Sequence, residues 1–171
     1  MSASTIIFYI LATLVVVFGA LTVFSRKIFR AAISLLFSLS FVAGIYFMWG
    51  MDFIGALQII IYVGGIVVLI IFSIFLTHHS GESLPNPLLK RILTSGILAI
   101  VVLGFTTWVV WNALFAPVTG QTPVDPTVHN IGIQMLDYTS HGYVFPFEVI
   151  NILLLAALVG SIVIAIKKSK D

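Results

Sequence analysis

The sequence predicts an all-α integral membrane protein of five transmembrane helices, its amino terminus outside (periplasmic in a bacterium) and its carboxyl terminus cytoplasmic. Three observations predict it. Hydrophobic residues make up 60% of the chain and charged residues 8%, against about a quarter charged in a soluble domain. Apolar runs recur five times, each close to the ~20 residues needed to cross about 30 Å of hydrocarbon. The basic residues fall in alternate connections only. A length of 171 residues is used up by these spans, so a single membrane domain, 1–171, is expected.

The first run, 5–24, is about 30 Å long as a helix. A cleaved signal peptide carries its positive charges before the apolar run; here Arg26, Lys27 and Arg30 come after it, so a retained helix is expected. Runs 31–50, 53–77, 92–115 and 146–166 complete the set. The outer loop, 116–145, holds Pro117, Pro123, Pro126, Asp125, Asp137, His129 and His141 without sustained periodicity. It reads as extramembrane, with a short helix expected around 131–138.

Orientation follows from the basic residues, because loops rich in Lys and Arg stay in the cytoplasm. Arg26, Lys27 and Arg30 lie between the first two helices, Lys90 and Arg91 precede the fourth, and Lys167, Lys168 and Lys170 follow the fifth. The opposite side carries Asp52, Asp125, Asp137 and Glu148. Trp49, Trp108, Trp111, Tyr46 and Tyr143 fall near the outer ends, where amphipathic rings anchor at the headgroups. The sequence has no cysteine, which excludes iron–sulfur ligation, disulfides and thiol catalysis, and its four scattered histidines offer no metal or haem cluster. Redox chemistry is therefore assigned to partners. A net charge of +2 gives nucleic-acid binding no support.

The third run is the unusual one. Gly55, Gln58, Tyr62, Gly65, Leu69 and Ser73 recur at three- and four-residue spacing and would share one face of a regular helix. Lipid cannot satisfy an amide or a phenol, so this stripe is expected to face other protein helices or an internal water path. Gln58 would lie roughly 8 Å and Tyr62 roughly 14 Å inside the outer edge. Both residues admit two readings: hydrogen bonds across a helix interface, or a functional position near the midplane. Gly64 and Gly65 likewise read either as small residues that admit a neighbouring helix or as a weak point in the winding. Such a pair beside a polar midplane Tyr suits a π-bulge, which would turn the residues beyond it by about 100° and make the register past Tyr62 conditional.

The fifth run opens Phe145-Pro-Phe-Glu-Val, with proline suited to a first turn. Glu148 reads as a carboxylate favoured by the helix dipole, or as an outer-side entrance to a proton path, for which it is shallow. Ala157, Ser161 and Ala165, beside Ala156 and Gly160, form a surface for close helix packing and imply a protein partner. Ser34 and Ser38 share a face of the second helix and are assigned to interhelical or back-bonding hydrogen bonds. His78 and His79, near Glu82, point in different directions and do not suggest a metal site.

The stretch Asp52-Phe-Ile-Gly-Ala-Leu-Gln-Ile-Ile-Ile-Tyr-Val-Gly-Gly-Ile-Val-Val-Leu-Ile-Ile-Phe resembles the third helix of the J subunit (chain 6) family of respiratory complex I, the proton-pumping NADH:quinone oxidoreductase. Phe145-Pro-Phe-Glu-Val and Leu153-Leu-Leu-Ala-Ala-Leu-Val-Gly resemble the end of the same family. The resemblance implies a membrane-arm subunit in a bacterial inner (plasma) membrane, beside the quinone-site subunit and the small K-type subunit. It implies no cofactor in this chain, with FMN, iron–sulfur clusters and quinone held by partner subunits. It also implies a third helix that switches between α and π winding, with Tyr62, Gly64 and Gly65 in the switching segment. Rotation there would open or close a water path coupling quinone reduction to proton translocation. Gln58 stands where many relatives have Glu and cannot ionise, which points to gating rather than proton carriage. The competing readings are a structural scaffold and a subunit of a related cation/proton antiporter or membrane hydrogenase.

Overall fold

The computed structural model describes residues 2–77, 88–113, 125–139 and 142–166. Among these, every regular element is a helix: α1 (Ala3–Phe24), α2 (Ile28–Met48), α3 (Asp52–Leu57), a π-wound stretch (Gln58–Val67), α4 (Val68–Leu76), α5 (Leu89–Asn112), α6 (Val128–Leu136) and α7 (Val144–Ala165). The third span is continuous from Asp52 to Leu76, and five helices are long and apolar enough to cross a membrane. His78, His79, Glu82, His141, Lys167, Lys168, Lys170 and the first part of the outer loop, 114–124, lie outside the described residues.

Each helix begins or ends where local chemistry dictates, which shifts the expected bounds by a few residues. α1 starts two residues early because the Ser2 hydroxyl accepts from the Thr5 amide at 3.4 Å, an N-cap. α2 stops before Gly50, which takes a φ of 72°. The Gly50 amide donates to the Phe47 carbonyl and the Met51 amide to the Tyr46 carbonyl, at 3.1 and 3.0 Å. This is the glycine-terminated C-cap that satisfies the last carbonyls of a helix and reverses the chain. α5 begins at Leu89 and ends at Asn112, so Lys90 and Arg91 occupy its first turn rather than preceding it.

The chain divides into two units, 1–123 and 124–171. In the first, α1 and α2 run antiparallel. Leu11 lies against Gly44, where an added Cβ would stand 3.3 Å from its methyl group. Phe18 meets Phe37 and Phe41 with ring centroids 5.4 and 5.5 Å apart, and Phe8 stacks on Trp49 at 6.3 Å. Buried Ser34 donates back to the Arg30 carbonyl at 2.9 Å. Buried Ser38 donates across to the Val15 carbonyl of α1 at 3.1 Å. The two serines thus divide the two structural roles expected of them. Because Val15 already accepts within its own helix, Ser38→Ala is expected to destabilise by only about 0.6 kcal/mol. The midpoint of a detergent-unfolding titration checks this.

In the second unit, Thr127 caps α6 by accepting from the Asn130 amide at 3.4 Å, and Asp125 in turn accepts from the Thr127 hydroxyl at 2.9 Å. The short helix therefore starts at Val128 and ends at Leu136, earlier than its expected position. α7 starts at Val144, where the Tyr143 carbonyl accepts from the Phe147 amide at 3.0 Å. Pro146 keeps its place in the first turn, where its missing N–H costs no helical bond.

Among the described residues, the buried apolar side chains are Ala32, Ala43 and Val67. α5 and α7 bury none of their residues within the chain. With so small a core, lipid or neighbouring proteins must cover most of the apolar surface.

Candidate functional site

The third span changes winding where its sequence is weakest as an α-helix. Ile59, Ile60, Ile61 and Val63 are β-branched and crowd the preceding turn, and Gly64 and Gly65 have the lowest helix propensity after proline. The π stretch Gln58–Val67 covers these residues, with right-handed α geometry at Leu57 before it and Val68 after it. The expected π winding at the Gly pair is thus present, spread over ten residues rather than one turn.

The two glycines lie against their own helix. A Cβ on Gly64 would stand 3.4 Å from the Ile59 carbonyl oxygen, and one on Gly65 would stand 3.6 Å from that of Ile60. Both carbonyls lie five residues back, at the acceptor position of π winding. No other helix among the described residues comes within 4 Å of either position. Of the two readings of the pair, the one that concerns winding applies within this chain.

The polar stripe does not form one packed face. Gly55 is buried beneath the ring of Phe47 on α2, where an added Cβ would meet ring carbons at 2.9–3.0 Å. Gln58 and Gly65 are half-buried. Tyr62, Leu69 and Ser73 are exposed, Tyr62 at 48% and Leu69 at 67%. The residue seated deepest in this helix is Val67, with no exposed surface. The physical reason is register: a π turn takes one residue more than an α turn, so every residue beyond it is rotated by about 100°. Sequence reasoning missed Val67 because nothing distinguishes it within the run Ile66-Val67-Val68-Leu69-Ile70. Once a π turn is assumed, spacing alone could have found it.

Gln58, Tyr62, Gly64 and Gly65 all lie in the π-wound segment. The Gln58 amide and the Tyr62 hydroxyl have no hydrogen-bond partner among the described residues. Each presents a polar group that hydrocarbon cannot satisfy. Glu148 belongs to the second unit, exposed on α7. The first turn of α7 holds no acidic residue, which corrects the dipole-capping reading. The helix begins two residues earlier than expected, so the carboxylate stands in its second turn, where the dipole's influence has fallen away.

The fold and this segment define a class: an all-helical, multi-pass membrane protein whose third span is π-wound through its middle. A family model described as NADH-ubiquinone/plastoquinone oxidoreductase chain 6 matches residues 18–164, and the chain belongs to that family. It is 35% identical to the F(420)H(2) dehydrogenase subunit J of Methanosarcina mazei, over 94% of this chain and 90% of that protein. It is 29% identical to the NADH-quinone oxidoreductase subunit J of Rhodobacter capsulatus, over 96% and 82% respectively. It is 33% identical to the chloroplastic NAD(P)H-quinone oxidoreductase subunit 6 of Staurastrum punctulatum, over 95% and 90%.

Proposed function

We propose that the chain is a membrane-arm subunit of a proton-translocating quinone oxidoreductase. Its third span would act as an α/π gate that couples quinone reduction to proton movement. Family membership supports the first part. The observation that carries the second is the π winding over Gln58–Val67. Returning one turn to α would rotate the residues on one side of it by about 100°. Val67 would then leave its buried seat, and the surroundings of Gln58 and Tyr62 would change with it. An apolar plug would thus be exchanged for an amide and a phenol that can hydrogen-bond a file of water. The Gln58 amide has no proton to release, so the segment would direct water rather than relay protons.

The partners proposed are the other membrane-arm subunits, above all the quinone-site subunit and the small K-type subunit, in a bacterial inner membrane with the amino terminus outside. FMN, iron–sulfur clusters and quinone would sit in partners. The relatives are named for F(420)H(2), NADH and NAD(P)H, which supports a membrane subunit that serves complexes with different electron donors.

The test is a double variant, Gly64→Ala with Gly65→Ala. Both added methyls fit the available space, so assembly should be preserved. Alanine lacks the backbone freedom of glycine, and its methyls would lie against the Ile59 and Ile60 carbonyls of the π form, so the pair is expected to shift the balance toward α winding. The expected result is an assembled complex that reduces quinone but moves fewer protons per quinone. Full pumping by the assembled variant would leave the helix a scaffold. Tyr62→Phe tests the hydroxyl separately, and unchanged coupling there would reduce Tyr62 to packing.

A further inference from the structure

At one end of the α1–α2 hairpin lies a groove of about 550 Å³. Leu21 and Phe24 give it an apolar lining, Arg26, Lys27 and Arg30 line it with positive charge, and buried Ser34 also lines it. Among the described residues, none of the three basic side chains pairs with a carboxylate and no acidic residue lines the groove. α2 also begins here with no side-chain cap and no acidic residue in its first turn. Its first amides and the positive end of its dipole therefore add to the field of the three cations.

We propose that this groove binds an anionic phospholipid, its phosphate held by Arg26, Lys27 and Arg30 and its acyl chain lying along Leu21 and Phe24. Depth selects the ligand. α1 has 22 residues, about 33 Å as a helix, and the cations come directly after its end, at the level of the headgroup phosphates. A soluble anion would have no use for the Leu21 and Phe24 lining, whereas a phospholipid brings charge and hydrocarbon to the same boundary. Topology alone asks for positive charge on this side of the membrane, but not for a mixed apolar and cationic groove. The proposal is independent of the gate.

The test uses the intact native complex in nanodiscs of phosphatidylcholine carrying a trace of photoactivatable phosphatidylglycerol, with crosslinks mapped by peptide mass spectrometry. The expected result is labelling within residues 21–34, competed by unlabelled phosphatidylglycerol and not by millimolar inorganic phosphate. Arg26→Gln/Lys27→Gln/Arg30→Gln should weaken labelling about a hundredfold, each cation near the surface contributing roughly equally. Because the same three cations also set insertion topology, the wild-type protein supplies the decisive comparison. Equal labelling of 21–34 by photoactivatable phosphatidylcholine would overturn the proposal. So would competition by phosphate alone, or unchanged labelling in a correctly inserted triple variant.

Discussion

Deletion of Ile61 is expected to leave an assembled complex that still reduces quinone but has lost most of its proton translocation. A π turn holds one residue more than an α turn, so removing one residue takes out the surplus of one turn and is expected to draw the third span toward α winding while Val67 stays in its seat. Ile61 suits the purpose because it lies in the middle of the π stretch and is 47% exposed, so its removal takes little from the packing on α2. Re-forming the π turn in the shortened helix would turn Val67 out of contact by about 100°. Exposing a buried valine costs about 2 kcal/mol, roughly thirtyfold in population. The variant is thereby held in one winding. Ile61→Ala keeps the residue count and should couple normally. Native gels report assembly, and simultaneous measurement of quinone reduction and vesicle acidification reports coupling. An unchanged ratio of protons to quinone in the deletion would show that the change of winding has no part in transport.

The second large effect is expected at Gly55, and it should fall on assembly rather than coupling. Its Cα lies so close to Phe47 that even a methyl group would stand 2.9 Å from the ring. The two residues belong to helices joined by the tight turn at Gly50, which leaves the backbone little room to separate. Gly55→Leu adds a whole side chain there and should cost about 1–3 kcal/mol by overpacking. For a chain with so small a core, that is enough to lower the amount of subunit recovered in the complex. Gly55→Ala should have a smaller effect, and Phe47→Leu should restore part of the loss in Gly55→Leu by removing the ring. Wild-type recovery of Gly55→Leu would show that α2 and the third span need not pack as closely as described. Two changes on one helix, at Gly55 and at Ile61, should therefore fail differently, one in building the complex and the other in using it.

The sequence by itself determined the solvent this protein requires, the number of helices able to cross it and the site of the weakened winding. Those properties are local and additive: hydrophobicity sums along each run, and β-branched residues beside paired glycines weaken an α-helix wherever they occur. Which side of the third helix packs was decided by the tertiary structure alone. Spacing in steps of three and four placed Gly55, Gln58, Tyr62, Gly65, Leu69 and Ser73 together. The extra residue per π turn broke that alignment, burying Val67 and leaving Tyr62 and Leu69 on the surface. The start of α7 was likewise set by the Tyr143 carbonyl rather than by Pro146, which moved Glu148 out of the first turn. A register is a running sum over every preceding residue, so one change of winding reassigns each face beyond it, and only packing against a neighbouring helix fixes where that sum comes to rest.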